Sequence, residues 1–391
     1  MFTRSYLPAI GGREIVVYYL ARAYQQLGYK VCVVGRLGIS KRKLWPSDVP
    51  VHPWPSLVTP LTKVRVLRGI VDAIQMFELY LMIILEKIIW GADVVHAHAT
   101  FPQGYAASKV TRLLRKTVLV ITPHGNDIHT IPEIGHGMGL DPEIAKRIKR
   151  ALESADLVTS IADGITSSIL KYGIDKSKIA SIPNGVDTER FASVAKITRE
   201  ITEDGEVRLL SIGNFNVRKG HRELIDAVAT LNEQGMRCSL TIVGVTNSDL
   251  VDYVKENGIP CHFAGRIQFT PGAGNAEDKL VEILGQSHLY VSAAIDAEAE
   301  GMSLAVLEAM AAGLPILATD VSGNRDLINT FENGLLVAPN DVGSLAQGIR
   351  DMVSDRHDFD RKRENSIRGA AKLSWQAVAQ QYVDAIDALN H

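Results

Sequence analysis

Two glutamates eight positions apart, Glu300 and Glu308, frame the stretch of this chain that could do the most chemistry. The residue types predict a strand over 289–292, a loop holding Glu298 and Glu300, a helix over 304–312 with Ser303 as its N-cap, a stop at Gly313-Leu314-Pro315, and a strand from Ile316. The helix is apolar nearly all round and should be buried on most faces. Glu308 lies inside it, and a carboxylate there is costly unless something pairs or hydrogen-bonds with it. Two readings follow: Glu308 emerges through a thin exposed stripe, or it faces a cleft and accepts hydrogen bonds from ligand hydroxyls. Gly301 permits close backbone approach, and the first-turn amides suit an anion such as phosphate.

The block Glu300-Gly301-Met302-Ser303-Leu304-Ala305-Val306-Leu307-Glu308-Ala309-Met310-Ala311-Ala312-Gly313-Leu314-Pro315 resembles the Glu-x7-Glu block of the retaining, nucleotide-sugar-dependent glycosyltransferases of family 4. That resemblance implies an α/β chain of the GT-B fold, two Rossmann-like doubly wound domains facing across a cleft. Further motifs extend it along nearly the whole chain. Pro8-x-x-Gly11-Gly12 is similar to the family's first loop, whose backbone lies near the donor diphosphate. His124-Gly125-x-Asp127 matches the family's donor-sugar histidine and implies that His124 contacts the sugar 6-hydroxyl. In the Gly-Arg-x4-Lys-Gly pattern this chain keeps Gly213, Lys219 and Gly220, but Asn214 stands where arginine is usual and Arg218 lies beside the lysine. Ile267 ends a strand like the one that meets the base, with the loop 268–276 shaping nucleotide choice. Pro183-Asn184-Gly185-Val186-Asp187 is similar to a further family signature.

By resemblance, then, His124, Lys219 and Glu300 are the expected catalytic residues. The donor-binding set is Gly11, Gly12, Asn214, Arg218, Ile267, Gly301, Met302, Ser303, Leu304 and Glu308. The implied reaction moves a sugar from a UDP- or GDP-sugar to a sugar, polysaccharide or lipid-linked acceptor with retention, in cell-envelope polysaccharide, lipopolysaccharide or glycolipid synthesis. The alternatives are a sugar-nucleotide epimerase of the same fold and a non-catalytic nucleotide-sugar-binding protein. Asp358-Phe359-Asp360, the one Asp-x-Asp, sits in a charged helical stretch far from any donor loop, so no metal or other cofactor is expected.

At 391 residues the chain suits two or three domains, and the alternating strand and helix patterns point to α/β architecture. With the resemblance, this implies an acceptor-binding domain over 1–188, a polar linker over 189–206, a donor domain over 207–372, and a helix over 373–391 that crosses back. Three widely spaced cysteines, Cys32, Cys238 and Cys261, fit a reducing cytoplasmic compartment and argue against a disulfide framework or a zinc site. Residues 1–6 do not read as a signal peptide. The net charge of −2 hides an asymmetry of about +8 over residues 1–187 and about −10 over the rest. No basic stripe with interleaved aromatics points to nucleic acid. Residues 64–90 read as a core helix whose apolar centre is too short to span a bilayer. Its basic and aromatic surroundings, with Lys41-Arg42-Lys43-Leu44-Trp45, leave peripheral membrane contact open. His96 and His98 end one strand and His124 follows another. The glycines at 135, 137 and 139 fall in a segment over 128–140 that reads as a mobile loop near the acceptor entrance.

Overall fold

The computed structural model describes residues 1–3, 6–7, 11–36, 48–54, 68–113, 117–197, 199–201, 205–267, 278–295 and 301–390. Two compact units emerge: one spans Met1–Pro183 and Trp375–His391, the other Asn184–Ser374. Both are Rossmann-like, with helices wound on the two faces of a parallel sheet.

Unit 1 runs β1 (Phe2–Thr3), α1 (Gly12–Gln26), β2 (Val33–Arg36), β3 (Val51–Trp54), α2 (Arg68–Trp90), β4 (Val94–Ala97), α3 (Tyr105–Thr111), β5 (Val118–Ile121), α4 (Pro142–Ser154), β6 (Leu157–Ser160), α5 (Asp163–Lys171) and β7 (Ile179–Ser181). Its strands lie in the order β3-β2-β1-β4-β5-β6-β7, all described pairs parallel. Short apolar runs such as Val118-Leu119-Val120-Ile121 are what a strand covered on both faces requires. Asp141 caps α4 as its Asp-Pro-Glu start predicts, accepting from the Glu143 and Ile144 amides at 2.9 and 3.2 Å. The α2 helix buries Leu79, Met82 and Ile83 but leaves Phe77, Ile88 and Ile89 more than 60% exposed, so only one of its faces belongs to the core.

Unit 2 continues with α6 (Thr188–Ala195), β8 (Val207–Ile212), α7 (His221–Glu233), β9 (Cys238–Val243), α8 (Ser248–Glu256), β10 (Cys261–Gly265), α9 (Lys279–Gln286), β11 (Leu289–Ser292), α10 (Leu304–Ala311), β12 (Ile316–Thr319), α11 (Ser322–Phe331), β13 (Gly334–Val337), α12 (Val342–Ser354) and α13 (Arg356–Lys372). Strand order is β10-β9-β8-β11-β12-β13. Successive side chains alternate between two cores. Tyr290, Ile316 and Ala318 join the layer of α6, α9, α10 and α11, while Leu289, Val291 and Leu317 join that of α7, α8 and α12. The final helix, α14 (Trp375–Asp387), packs in unit 1 on α1, where the Trp375 and Tyr19 rings stack at 5.7 Å.

Three expectations change. The boundary expected at 188 lies at Pro183/Asn184, and the expected linker begins with a helix: in α6, Phe191 and Val194 are buried in the unit 2 core. A short amphipathic helix with few apolar residues looks like polar linker until its partner surface exists. The segment over 128–140 is packed rather than loose, since Ile128 and Ile131 are buried and Ile131 pairs with His136. The start of the 64–90 helix, residues 64–67, and the basic run 41–45 lie outside the described residues.

Beyond α6, Arg199 is 4% exposed and donates to the carbonyls of Val194, Leu284 and Ala312 at 3.0, 3.3 and 2.9 Å. A single guanidinium thus closes the C-terminal ends of three elements, α6, α9 and α10, whose last carbonyls lack intrahelical donors. Arg199→Met, which keeps volume and removes the donors, is expected to lower unfolding free energy by about 2–4 kcal/mol, read from urea midpoints.

Candidate active site

The α10 helix starts where the sequence placed it. Ser303 occupies the N-cap position in extended conformation, without a side-chain cap bond. Its lead-in is held by two contacts: the Asn184 amide donates to the Met302 carbonyl at 3.0 Å, and α11 presses Gly323 against Gly301. A Cβ on Gly323 would sit 2.2 Å from the Gly301 carbonyl oxygen, so only glycine permits that approach. Within α10, Leu304, Ala305 and Glu308 form the partly open stripe, while Val306, Leu307, Ala309 and Met310 are buried. Glu308 therefore lies on the same face as the first-turn residues, about 7.5 Å further along the axis than Ser303.

Glu308 has a partner. Arg190 on α6 makes a paired contact with Asp278, 2.7 and 3.2 Å from Nε and Nη2, and its Nη1 lies 3.7 Å from Glu308 Oε1. The Arg190 and Asp278 side chains are 8% and 5% exposed, Glu308 17%. Burial pushes the Glu308 carboxyl up to about 7; Arg190 pulls it down and Asp278 opposes that pull. The result is an acceptor held in place with one edge open.

On the other side of β8, Lys219 and Gly220 close a turn into α7. Gly220 adopts φ +63°, and a Cβ there would lie 1.9 Å from the Ala293 carbonyl oxygen, so the lysine loop is pinned against the end of β11. Arg218 completes the pinning through its carbonyl, which accepts from the Ile295 amide at 2.9 Å. Asn214 Oδ1 accepts from the Val245 amide at 3.0 Å, so this side chain joins the exits of β8 and β9. The buried His221 next to Lys219 is held down at about 4 by burial and by that cation. Ile267 packs on the same core as α10.

In unit 1 three imidazoles meet at the C-terminal ends of β4 and β5, the usual ligand end of a parallel sheet. His98 Nδ1 and His124 Nε2 are 3.1 Å apart, and His96 stacks on His98 with ring centroids 4.2 Å apart. His96 Nε2 meets the Thr122 hydroxyl at 2.7 Å, which makes it a hydrogen-bonded core histidine. Asp127 clamps the loop: its Oδ1 accepts from the His124 amide at 2.8 Å and its Oδ2 from the Thr100 amide at 2.6 Å. Ala99 is held at φ 150°, a strained conformation for alanine that these bonds sustain. Burial, then the Arg13 charge, lowers His124 to about 3; His96 and His98 also lie well below their usual value. All three are neutral at pH 7. Gly11, the N-cap of α1, and Gly12, its first residue, precede the Arg13 whose charge reaches this cluster.

Of the sequence-predicted residues, Gly301, Met302, Ser303, Leu304 and Glu308 come together in unit 2, with Asn214, Arg218, Lys219 and Ile267 around the same sheet. Gly11, Gly12 and His124 belong to unit 1, whereas Glu300, Pro8 and the loop 268–276 lie outside the described residues. Sequence reasoning missed Arg190 and Asp278, and gave Asn184 only as part of the signature over 183–187. A signal for the first existed: Asp187 caps α6 by accepting from the Arg190 amide, so Asp187-x-x-Arg190-Phe191 is a helix start.

Two family models tile the chain. "Glycosyltransferase Family 4" matches residues 10–190 and "Glycosyl transferases group 1" matches residues 195–373. Among curated relatives, the N-acetyl-alpha-D-glucosaminyl L-malate synthase of Bacillus anthracis is 22% identical over 92% of this chain and 90% of its own. The GDP-mannose:cellobiosyl-diphosphopolyprenol alpha-mannosyltransferase of Komagataeibacter xylinus is 25% identical over 97% and 90%. Among solved structures, a glycosyltransferase from Rickettsia africae superposes with TM-score 0.74 at 19% identity, covering 100% of this chain and 98% of that one. HepE of Anabaena, solved with UDP, gives 0.72 at 17% identity over 99% and 98%. At these identities the structural likeness is one of fold.

Two titrations test the electrostatics. Between pH 4.5 and about 7 native Glu308 keeps a proton that the unfolded chain has released, so its contribution to stability falls as pH rises and is worst above 7, by up to about 3 kcal/mol. Glu308→Gln is therefore expected to be more stable than the parent at about pH 8 by roughly 1–3 kcal/mol and equal to it near pH 4, in urea unfolding at both. For His124, the ring-proton resonance should stay at its neutral position from about pH 9 down to about pH 5, where an ordinary imidazole would have titrated.

Proposed function

The chain belongs to the family 4, group 1 glycosyltransferases of GT-B fold, and from that premise we propose that it transfers a sugar from a nucleoside-diphosphate sugar to an acceptor hydroxyl with retention and without a metal. The observation that carries this reading is the acidic side chain on the open face of α10, steadied by Arg190, about 7.5 Å beyond a helix start. That rise matches the reach from a diphosphate to the ribose hydroxyls of one nucleotide. Ionised above about pH 7, Glu308 accepts both ribose hydroxyls, and the amides of Ser303 and Leu304 meet the diphosphate.

Breaking the glycosidic bond leaves negative charge on the diphosphate, and stabilising that charge is the main catalytic task. Lys219, placed by Gly220, supplies a cation for it, and Arg218 takes the role of the family's missing arginine, because Asn214 is engaged with Val245. Neutral His124, held by Asp127 and His98, hydrogen-bonds a sugar hydroxyl without adding positive charge near an oxocarbenium-like centre. Glu300 holds the remaining sugar hydroxyls and lends negative potential to that centre.

The donor is a UDP- or GDP-sugar and the acceptor a sugar, polysaccharide or lipid-linked chain of the cell envelope. Relatives named for polyprenol-linked and inositol phosphate acceptors support this, as do structures solved with UDP and UDP-glucose. Among the described residues no helix is long and apolar enough to cross a membrane. The exposed Phe77, Ile88 and Ile89 of α2 support a peripheral contact through unit 1.

The donor class is tested by melting the protein with uridine, guanosine and adenosine diphosphate sugars. At one hundred times its dissociation constant the right one should stabilise by about 2.7 kcal/mol. Glu308→Ala should lose that shift and at least about a hundredfold in kcat/KM, roughly 2.7 kcal/mol of transition-state stabilisation. Unchanged turnover of every donor overturns the reading. The product's anomeric configuration by NMR, and activity after chelation, test retention and metal independence.

A further inference from the structure

At the opposite end of the unit 1 sheet from the histidines, three unlike side chains converge from distant parts of the chain. Cys32 immediately precedes β2, His52 is the second residue of the edge strand β3, and Glu86 lies one turn before the end of α2. His52 Nδ1 is 2.8 and 2.7 Å from the two Glu86 oxygens, and the Cys32 sulfur is 3.9 Å from Glu86 Oε2. We propose that Cys32, His52 and Glu86 form a binding site for a divalent cation of borderline softness, zinc fitting best, that clips the end of α2 to the edge of the sheet.

A histidine–glutamate pair alone is a common ion pair. What that reading leaves unexplained is a thiol aimed at the same carboxylate oxygen, with all three ligand atoms within 4.8 Å of one another. A tetrahedral zinc ion, with about 2.3 Å to sulfur and about 2.0 Å to nitrogen, sets those two ligands about 3.5 Å apart. Closing onto an ion therefore brings sulfur and nitrogen together by about 1.3 Å at most, while the His–Glu pair opens slightly. Thiolate, imidazole and carboxylate together suit zinc, and they disfavour calcium or magnesium, which take oxygen ligands. Three protein ligands leave the fourth position to water. The Trp90 indole meets the His52 ring edge to face, centroids 4.8 Å apart.

Burial raises the pKa of the free Cys32 thiol above its usual value; the Met1 ammonium opposes this, and the Glu86 charge and hydrogen bond add to it. Binding exchanges the thiol proton for the metal: the S–H bond breaks, a metal–sulfur bond forms, and one proton leaves to solvent. No oxidation state changes. Affinity must then rise with pH. The site stands at the strand N-termini, whereas His98 and His124 stand at the C-termini, so it serves structure and is separate from the metal-free transfer proposed above. Nothing in the spacing of the three residues, 20 and 34 positions apart, announces it. The fold makes the cluster, against the sequence expectation of no zinc site.

Cobalt(II), a coloured stand-in for zinc, tests this on the full chain. Titration should give one equivalent of bound ion with thiolate-to-cobalt charge-transfer absorption, bleached by added zinc. Cys32→Ala should abolish that absorption, and His52→Ala or Glu86→Gln should each weaken binding about tenfold or more. Zinc should also raise the melting temperature of the parent protein, by less in Glu86→Gln, which serves if Cys32→Ala does not fold. Absence of the charge-transfer band at saturating cobalt overturns the proposal. So does a band that survives Cys32→Ala, since it would then belong to Cys238 or Cys261 in unit 2.

Discussion

The contact on which most of unit 2 turns is the Arg190 guanidinium lying between Asp278 and Glu308. A helix as apolar as α10 cannot hold a lone carboxylate cheaply. Here the cation makes directed hydrogen bonds to Asp278 and a 3.7 Å contact with Glu308. Glu308 is thereby held by a cation on one side while it remains 17% exposed. Because Arg190 sits on α6 and Asp278 caps α9, the same contact also locks two helices against the core that carries α10.

Unit 1 solves a different problem by related means. Its polar groups sit at the ends of buried strands, where desolvation keeps imidazoles neutral, and a buried Asp127 spends its oxygens on backbone amides. That arrangement fixes the loop after β5 without adding a mobile charge near His124. Thr122 links the cluster to Thr159 at 2.6 Å, while the α14 residue Tyr382 lies within 3.4 Å of the Thr122 hydroxyl. The last helix of the chain thereby supports groups in the middle of the first unit's sheet.

The replacement of the family's usual arginine by Asn214 acquires a physical account. A short amide at that position bridges β8 and β9 through the Val245 amide, a bond that a long cation would not make in the same way. The loop is stiffened at one end by Asn214 and at the other by Gly220 against Ala293, which leaves Lys219 on a backbone with little freedom to wander.

Local pattern and motif sufficed for the alternating strands and helices, the start of α10 at Ser303 and the Asp141 cap, because each depends on residues within one or two turns of one another. Residue type alone also marked Glu308 as a charge in need of a partner. It could not say which partner, since Arg190 and Asp278 come from helices 118 and 30 positions away. The same limit applies to the histidine stack, to the packed segment over 128–140 and to Cys32, His52 and Glu86. Burial, pairing and proton affinity are properties of three-dimensional neighbourhoods, and only the folded sheets bring those neighbours within reach.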